Sequence, residues 1–290
     1  MLWLYLALIA YSINAVAFII DKYLLHSPIP KPYSYAFGVS VLSLSSLLLI
    51  PFGIHWYGWY YFFIAMSSGL VFFVSLVYLY KAIISSDISV AATQVGTVSA
   101  IFTNIFAVLI LKEVQSFSSS LAFVFLILGI VLLGKAEKRI IKFAILSGIL
   151  SGLYFVLVKL TFNLSNYLDG LFWTRIGFVA AAFSSLLMPN SRKEVYNTFK
   201  HAPESSKFIF TANKIISGAG FLILYFAIRL GDVAIVNSLT GFQFLFTFIL
   251  ALSLRHRIPG IEEKLNKEIL IAKIGGILLI SIGFVILFIS

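Results

Sequence analysis

The sequence lacks cysteine and is poor in charged residues. Without cysteine, the chain forms no disulfide, thiolate metal site or cysteine nucleophile. Only 11% of its 290 residues are charged and 61% are apolar, whereas soluble domains average about 25% charged and about 45–50% apolar residues. So few charges do not cover this much apolar surface in water. The composition therefore excludes a cytosolic enzyme, a nucleic-acid-binding protein and a disordered chain.

Sequence motifs for catalysis, nucleotide binding and metal binding are also missing. The chain contains no H-E-x-x-H, G-x-S-x-G or G-x-x-x-x-G-K-[ST] segment. Its four histidines are scattered and lack metal-ligand spacing. We therefore predict no catalytic residue, no metal and no cofactor, and we keep a polytopic membrane enzyme as a minor alternative.

Long apolar stretches are abundant. The mean hydropathy is +1.04, and a helix needs about 20 mostly apolar residues to cross the hydrocarbon core of a bilayer. Ten stretches satisfy this requirement, near 2–20, 33–51, 59–80, 88–111, 118–134, 141–160, 170–188, 207–229, 232–254 and 269–289. The first has no basic region before it, which favours a retained span over a cleaved signal. The sequence thus predicts an all-α membrane protein with ten transmembrane helices in the lipid bilayer.

The chain also repeats itself. Leu79–Ile83 resembles Leu224–Ile228, and Lys22 and Lys159 stand at the end of the first span of each half. The predicted halves cover residues 1–134 and 141–290, with the basic linker Lys135–Lys142 between them. Since each half has five spans, the second half inserts upside down. The sequence therefore predicts two inverted five-helix repeats, an arrangement that many transporters use for alternating access.

Short motifs occupy fixed places in this pattern. An aspartate precedes spans 4 and 9, Leu111-Lys112-Glu113 closes span 4, Gly129…Gly134 lies in span 5, and Arg175 lies near the start of span 7. With the two five-helix halves, these features resemble the drug/metabolite transporter superfamily, in particular its EamA-like ten-helix permeases, over nearly the whole chain. The resemblance implies a small-molecule transporter in the plasma membrane of a prokaryote.

The orientation in the membrane has two answers at this point. The net charge is +10, and most lysines and arginines lie in the connections that follow odd-numbered spans. The positive-inside rule then places those connections in the cytoplasm and both termini outside. The family resemblance implies instead that both termini lie in the cytoplasm. Both orientations stay open.

Uncharged polar residues inside the spans are candidates for substrate binding, because polar groups are costly in a bilayer. The candidates are Gln94 and Thr97 in span 4, Asn237, Thr240 and Gln243 in span 9, Asn14 in span 1 and Asn213 in span 8. Spans 4 and 9 hold equivalent positions in the two halves, so we expect them to line a central cavity near the midplane. The alternative is that these side chains join helices by hydrogen bonds.

Two cations extend this prediction. Arg175 and Lys214 lie roughly 7–8 Å and 10 Å along their spans at about 1.5 Å per residue, and long side chains also reach the interface from such depths. All 11 carboxylates lie in predicted loops or at span ends, so we expect no acid to neutralise these two cations. The sequence therefore predicts a cavity that prefers anionic or zwitterionic solutes.

The predicted function is transport of small organic metabolites by alternating access, with amino-acid-like, organic-anion and nucleotide-sugar-like substrates all allowed. Export of multiple drugs or lipophilic cations is the alternative. Span 1 carries Asn14 where small multidrug transporters of the superfamily use a glutamate, which disfavours that alternative. Gly129, Gly275, Gly276 and Gly283 favour close helix contact in spans 5 and 10, between the halves or in a homodimer.

Overall fold

The computed structural model describes residues 2–114, 116–133, 139–254, 258 and 267–289, and these residues are almost entirely helical. The elements are α1 (Leu2–His26), α2 (Pro32–Leu42), a 3-10 segment (Ser43–Phe52), α3 (Trp59–Ser85), α4 (Ile88–Phe106), a π-helical turn (Ala107–Leu111), α5 (Phe117–Leu133), α6 (Ile141–Leu164), α7 (Tyr167–Ser185), α8 (Pro189–His201), α9 (Glu204–Leu230), α10 (Val233–Ser238), α11 (Thr240–Leu254) and α12 (Lys267–Ile289). Gly134 and the first half of the predicted linker Lys135–Lys142 lie outside the described residues. The predicted all-helical fold is confirmed for the described ranges.

Seven described helical segments are long and apolar enough to cross a membrane. They are Leu2–His26, Pro32–Phe52, Trp59–Ser85, Ile88–Leu111, Ile141–Leu164, Glu204–Leu230 and Val233–Leu254. The pair α7 and α8 makes an eighth if it counts as one span, although it bends by 104°. Shorter apolar stretches lie in α5 and α12. The chain is therefore an integral membrane protein, and the number of ten spans stays a prediction.

The chain after α7 forms a helix, α8, where the sequence predicted a charged connection. Pro189 occupies its first turn, and proline's fixed φ suits that position. Val195 is buried, and Phe199, one turn later, packs against Gly38 of α2. Asn197 on the opposite side is exposed. The apolar spacing of one helical turn marks a short amphipathic helix, which a search for long apolar stretches misses.

The first helices of the two predicted halves each pack on the other half. Helix α1 lies against α9 and α11, while α6 lies against α3 and α4. The last helices, α5 and α12, also pack on each other, and a Cβ added to Gly129 would lie 2.7 Å from the carbonyl oxygen of Gly276. The close contact predicted for the glycines of spans 5 and 10 therefore occurs within one chain.

A second close helix crossing joins α3 to α7. A Cβ added to Gly69 would lie 2.0 Å from the backbone nitrogen of Phe178, and one added to Gly177 would lie 2.8 Å from the Cα of Met66. The two backbones touch because neither helix has a side chain at the crossing. The crossing therefore holds α3 and α7 in direct contact.

Candidate functional site

A cavity of about 710 Å³ lies between the helices of both predicted halves. Its wall is formed by side chains from α1, α2, α3, α4, α6, α7, α9, α10, α11 and the 3-10 segment. Much of that wall is aromatic, from Tyr11, Phe18, Phe72, Tyr80, Tyr154, Phe155, Phe221 and Phe244. The volume lies within the range of about 300–1,000 Å³ that is usual for small-molecule sites. The space is therefore large enough for a small organic solute.

Six of the nine residues predicted to bind substrate line this cavity: Asn14, Arg175, Lys214, Asn237, Thr240 and Gln243. The other three, Gln94, Thr97 and Asn213, are not part of its wall. The hydroxyl of Thr97 donates to the carbonyl of Thr93 at 2.9 Å, within its own helix. Gln94 lies partly buried on α4. Asn213 is buried and bonds to α1 instead, as described below.

Two of the lining asparagines also contact neighbouring helices. The amide nitrogen of Asn237 donates to the hydroxyls of Ser99, at 3.0 Å, and Thr103, at 2.7 Å, and so ties α10 to α4. The amide oxygen of Asn14 lies against α9, 2.7 Å from where a Cβ on Gly220 would stand. Hydrogen bonding between helices and cavity lining, which the sequence left as alternatives, therefore coincide in Asn237, whereas the amide oxygen of Asn14 packs against α9 without a hydrogen-bond partner.

A break in the helix brings Thr240 and Gln243 into the cavity wall. Helix α10 ends at Ser238 and α11 begins at Thr240, so Leu239 separates them. The Thr240 hydroxyl donates to the carbonyl of Asn237 at 2.8 Å, which satisfies a backbone group at the break. The predicted span 9 is therefore two helices that meet beside the cavity.

Arg175 lies partly exposed on the cavity wall, among aromatic rings. Its Nη2 donates to the hydroxyl of Tyr225 at 2.9 Å, and its Cζ lies 5.0 Å from the centre of that ring and 5.9 Å from that of Phe221. The hydroxyl of Tyr225 is also hydrogen-bonded to the hydroxyl of Tyr154. No carboxylate of the described chain lies within ion-pair distance of Arg175. Among the described residues, this cation therefore lies at the cavity wall without an ion-pair partner.

Lys214 is different, and here the sequence prediction is wrong. Its Nζ lies 2.6 Å and 2.8 Å from the two carboxylate oxygens of Asp21. Asp21 also accepts hydrogen bonds from the Tyr35 hydroxyl and the Asn213 amide, both at 2.6 Å. The apolar stretch ends near residue 20, but α1 continues to His26 because this polar cluster stabilises Asp21 inside the bundle. A buried acid therefore neutralises Lys214.

Asp21 is the main functional candidate that the sequence analysis missed. It lines the cavity, although the analysis placed it at the end of a span. One local signal does exist, because Asp21 stands seven residues after Asn14 and so lies on the same face of α1. The tyrosine partners of Arg175 and Asp21 were missed as well, since tyrosine in an apolar stretch carries no distinctive pattern.

Two lysines hold equivalent positions at opposite ends of the bundle. The Nζ of Lys22 donates to the carbonyls of Ile83 and Ser86 at the end of α3. The Nζ of Lys159 donates in the same way to the carbonyls of Ile228 and Gly231 at the end of α9. Each lysine thus caps the terminal carbonyls of a helix, where a cation also meets the negative end of the helix dipole.

Glu113 lies beside the second of these lysines, outside the membrane-spanning segments. Burial raises the pKa of its carboxyl to about 7, and the charge of Asp232 adds to the rise, whereas Lys159 and the backbone N–H of Val233 oppose it. Asp232 itself caps α10 by accepting from the N–H groups of Ala234 and Ile235. Glu113 therefore links the end of span 4 to the start of span 9 and titrates near neutral pH.

We expect Glu113→Gln to remove part of the dependence of stability on pH. The folded state raises the pKa of Glu113, so it binds more protons than the unfolded state, and the free energy of unfolding falls as pH rises through about 4.5 to 7. Glutamine mimics the protonated acid. At pH 8 we therefore expect a free energy of unfolding about 1–2 kcal/mol above that of the parent, after allowance for the solvent-exposed part of the side chain, and a correspondingly higher Tm. At pH 5 we expect little difference.

The exposed Glu204, which pairs with Lys207 on the surface, provides the control for this comparison. Glu204→Gln should leave the difference in Tm between pH 5 and pH 8 unchanged. Equal pH dependence in the parent and in Glu113→Gln would contradict the assignment.

A network at the same end of the bundle ties the chain before α3 to the start of α7. The buried carboxylate of Asp169 accepts from the Tyr57 hydroxyl at 2.8 Å, the backbone N–H of His55 at 3.1 Å and the Asn166 amide at 2.6 Å. The indole of Trp173 donates to the carbonyl of His55 at 3.1 Å. These hydrogen bonds join the aromatic chain segment before α3 to the first turns of α7.

The described residues form no cluster of metal ligands. In the ranges that the structure describes, no three histidine, aspartate or glutamate side chains come together as metal ligands do. What the arrangement offers is a polar and aromatic cavity with one cation, Arg175, that has no acid partner among the described residues, and one neutralised ion pair, Asp21–Lys214.

Comparison with known proteins gives the fold alone. No protein-family model and no curated protein matches the chain. One solved structure, described only as "Crystal structure of protein", matches with a TM-score of 0.65 over 97% of this chain and 93% of its own, at 12% sequence identity. Such a likeness indicates a shared arrangement of helices over nearly the whole chain.

Proposed function

We propose that the chain is a transmembrane transporter of small organic metabolites that works by alternating access, and that it belongs among the EamA-like permeases of the drug/metabolite transporter superfamily. The observation that carries this proposal is the cavity of about 710 Å³, which is walled by helices of both predicted halves and contains Arg175. Amino-acid-like, organic-anion and nucleotide-sugar-like solutes are the substrate classes of this proposal.

The proposal includes ten spans in two inverted five-helix repeats. Lys22 and Lys159 support the repeat, because each ends its half's first span by capping the third span of that half, at opposite ends of the bundle. The first helix of each half also packs on the third and fourth spans of the other half. Helix α1 packs on α9 and α11, and α6 packs on α3 and α4. In this arrangement α5 and α12 provide the fifth and tenth spans.

A difference between two equivalent helix pairs supports alternating access. In the proposed repeat, α3–α7 and α9–α2 are equivalent. Helices α3 and α7 touch along their backbones at Gly69 and Gly177. Helix α2 meets α9 near one end, where the rings of Tyr35 and Phe210 are 4.9 Å apart, and beyond this point the 3-10 segment and α9 both line the cavity. A carrier whose cavity opens to one side of the membrane has one such helix pair in contact and the equivalent pair separated.

Export of lipophilic cations is the second candidate, and Asp21 gives it a specific observation. The sequence argument against cation export depended on the absence of an acid inside the bundle, yet Asp21 lines the cavity. Its charge is balanced by Lys214 at 2.6 Å. We therefore rank this candidate below transport of anionic or zwitterionic metabolites, and the ligand series in the next section distinguishes the two.

Single cysteines test alternating access directly, because the chain has none of its own. Ser217→Cys places a thiol in the cavity wall on α9. In sealed vesicles we expect a membrane-impermeant maleimide to label it mainly from one side, and a transported solute to change the labelling from the two sides in opposite directions. The side of labelling of an exposed position such as Tyr196→Cys on α8 decides between the two orientations.

Labelling of Ser217→Cys from both sides at equal rates, unchanged by every solute in a metabolite panel, would overturn the transporter proposal and favour a channel. Counterflow in proteoliposomes provides the independent measurement: solute trapped inside should accelerate the uptake of labelled solute only if the protein exchanges one for the other.

A further inference from the structure

The charges of the cavity define its preferred solute more narrowly than the proposed function does. Among the described lining residues, three carry a full charge: Asp21, Arg175 and Lys214. Any solute in the cavity interacts with these charges at short range and with little water between, where electrostatic interactions are stronger than in bulk water. Their balance therefore determines the solute charge that the cavity favours.

Asp21 and Lys214 cancel one another. The ammonium of Lys214 lies 2.6 Å and 2.8 Å from the carboxylate oxygens, and both side chains are buried. Asp21 also receives the Tyr35 hydroxyl and the Asn213 amide, and the ammonium lies 5.0 Å from the centre of the Tyr35 ring. Separating such a pair leaves two buried charges unpaired, which is strongly unfavourable. The pair therefore contributes no net charge to the cavity.

Among the described lining residues, Arg175 is then the single uncompensated charge. Of the five N–H donors in its guanidinium, the hydrogen bond found in the structure takes one, to the Tyr225 hydroxyl. The neighbouring rings of Tyr225 and Phe221 hold the guanidinium against the wall. The partly exposed group thus retains donors for a carboxylate, which arginine binds with two parallel hydrogen bonds.

The rest of the wall is unsuited to a second charged group on the solute. Aromatic and aliphatic side chains such as Phe18, Phe72, Phe155 and Phe244 form most of it. A second anionic group would meet these apolar surfaces or uncharged polar groups such as Ser151 and Gln243, with no further free cation among the described lining residues, and burial of a charge without an opposite charge is costly. An apolar body would instead replace water along the same surfaces.

We propose that the cavity selects organic monoanions with an apolar body, whose charged group binds Arg175 while the Asp21–Lys214 pair stays closed. This inference rests on the proposed transport function and narrows its substrate class. It disfavours sugar phosphates and nucleotide sugars, which carry more than one negative charge, and it disfavours lipophilic cations, which meet no free acid.

A series of four probes with one common body tests the charge rule on the purified full-length chain. The probes are 3-phenylpropionate, its dianionic analogue benzylmalonate, the neutral 3-phenylpropanamide and the cationic 3-phenylpropylamine. We expect 3-phenylpropionate to bind at least about tenfold more tightly than each of the others, since a charged hydrogen-bonded pair contributes about that much. Isothermal titration gives the affinities, and ligand-induced shifts in Tm provide a second readout.

Two substitutions test the charge count. Arg175→Gln should reduce the affinity for 3-phenylpropionate by about 10–100-fold, to the level of the amide, because the charged partner is lost. Asp21→Asn should free Lys214 and make the cavity doubly positive, so the preference should move from 3-phenylpropionate toward benzylmalonate. Lys207→Gln is the control, because it removes a cation from the same helix but outside the cavity.

Several results would overturn the inference: equal or tighter binding of the amide or the amine, an unchanged preference in Arg175→Gln, no shift toward the dianion in Asp21→Asn, or no binding of any probe at about 10 mM, a weak affinity that a fitting body should exceed. Counterflow of labelled 3-phenylpropionate separates the two proposals. Binding that obeys the charge rule without exchange refutes transport alone, and exchange of the cation in preference to the monoanion refutes the charge rule alone.

Discussion

Lys214→Met is expected to destabilise the protein by about 3–5 kcal/mol, because it leaves the buried carboxylate of Asp21 without its cation. Both side chains are almost inaccessible to solvent, and Nζ lies 2.6 Å from the nearer carboxylate oxygen. The remaining partners of Asp21, the Tyr35 hydroxyl and the Asn213 amide, are neutral donors and do not replace the lost charge. Measured as Tm in detergent, the loss should amount to roughly 6 °C or more.

The double variant Asp21→Asn/Lys214→Met is the matched control for this prediction. It removes both charges and leaves a neutral side chain of similar shape at each position. Replacement of a whole buried pair by uncharged groups is often close to neutral, so the Tm of the double variant should lie well above that of Lys214→Met. Equal losses in the two variants would mean that Lys214 acts through packing and not through its charge.

The membrane-embedded helices are the part of the fold that the sequence predicts well. Hydropathy depends on each segment by itself, so the apolar stretches of α1, α3 and α6 are recognisable without knowledge of the rest. The interruptions are harder to predict. The 3-10 segment after α2 and the break at Leu239 keep their apolar character, and only the geometry of the backbone differs there. Hydropathy carries no information about that difference.

In the candidate site, too, the sequence predicts local features better than contacts between distant helices. Arg175 and Asn237 were predicted because a charged or amide side chain in an apolar stretch is conspicuous in the sequence, and both line the cavity. The partner of Lys214 was not predicted, because Asp21 lies 193 residues away along the chain. Pairing between distant helices depends on packing, which a local pattern does not encode. The prediction that no acid neutralises these two cations was therefore wrong for Lys214, and for Arg175 it stays a prediction.

Gly69→Ala is expected to force α3 away from α7. The added Cβ would lie 2.0 Å from the backbone nitrogen of Phe178 and 2.2 Å from the backbone carbon of Gly177. Backbone atoms do not rotate away as a side chain does, so the helices themselves must separate. Overpacking of this kind typically costs about 1–3 kcal/mol, and in a membrane the lost van der Waals contact between helices is not offset by a hydrophobic gain. We therefore expect a Tm lower by several degrees.

Gly218→Ala and Gly177→Ala are the comparison variants, with no loss and an intermediate loss of Tm expected. Gly218 lines the cavity on α9 and has no neighbour within 4 Å of an added Cβ, so its substitution should leave the Tm unchanged. The nearest atom to a Cβ on Gly177 is 2.8 Å away, which predicts an intermediate loss. Ser68 is buried in the parent. If α3 and α7 also form the closed side of a carrier, a cysteine introduced by Ser68→Cys should become accessible to a thiol reagent when Gly69→Ala is added. Two results together would contradict the prediction: a Tm of Gly69→Ala equal to that of the parent, and an unreactive cysteine in the Ser68→Cys/Gly69→Ala variant. They would show that the two helices do not meet at this crossing, because only separation of the helices makes room for the methyl group.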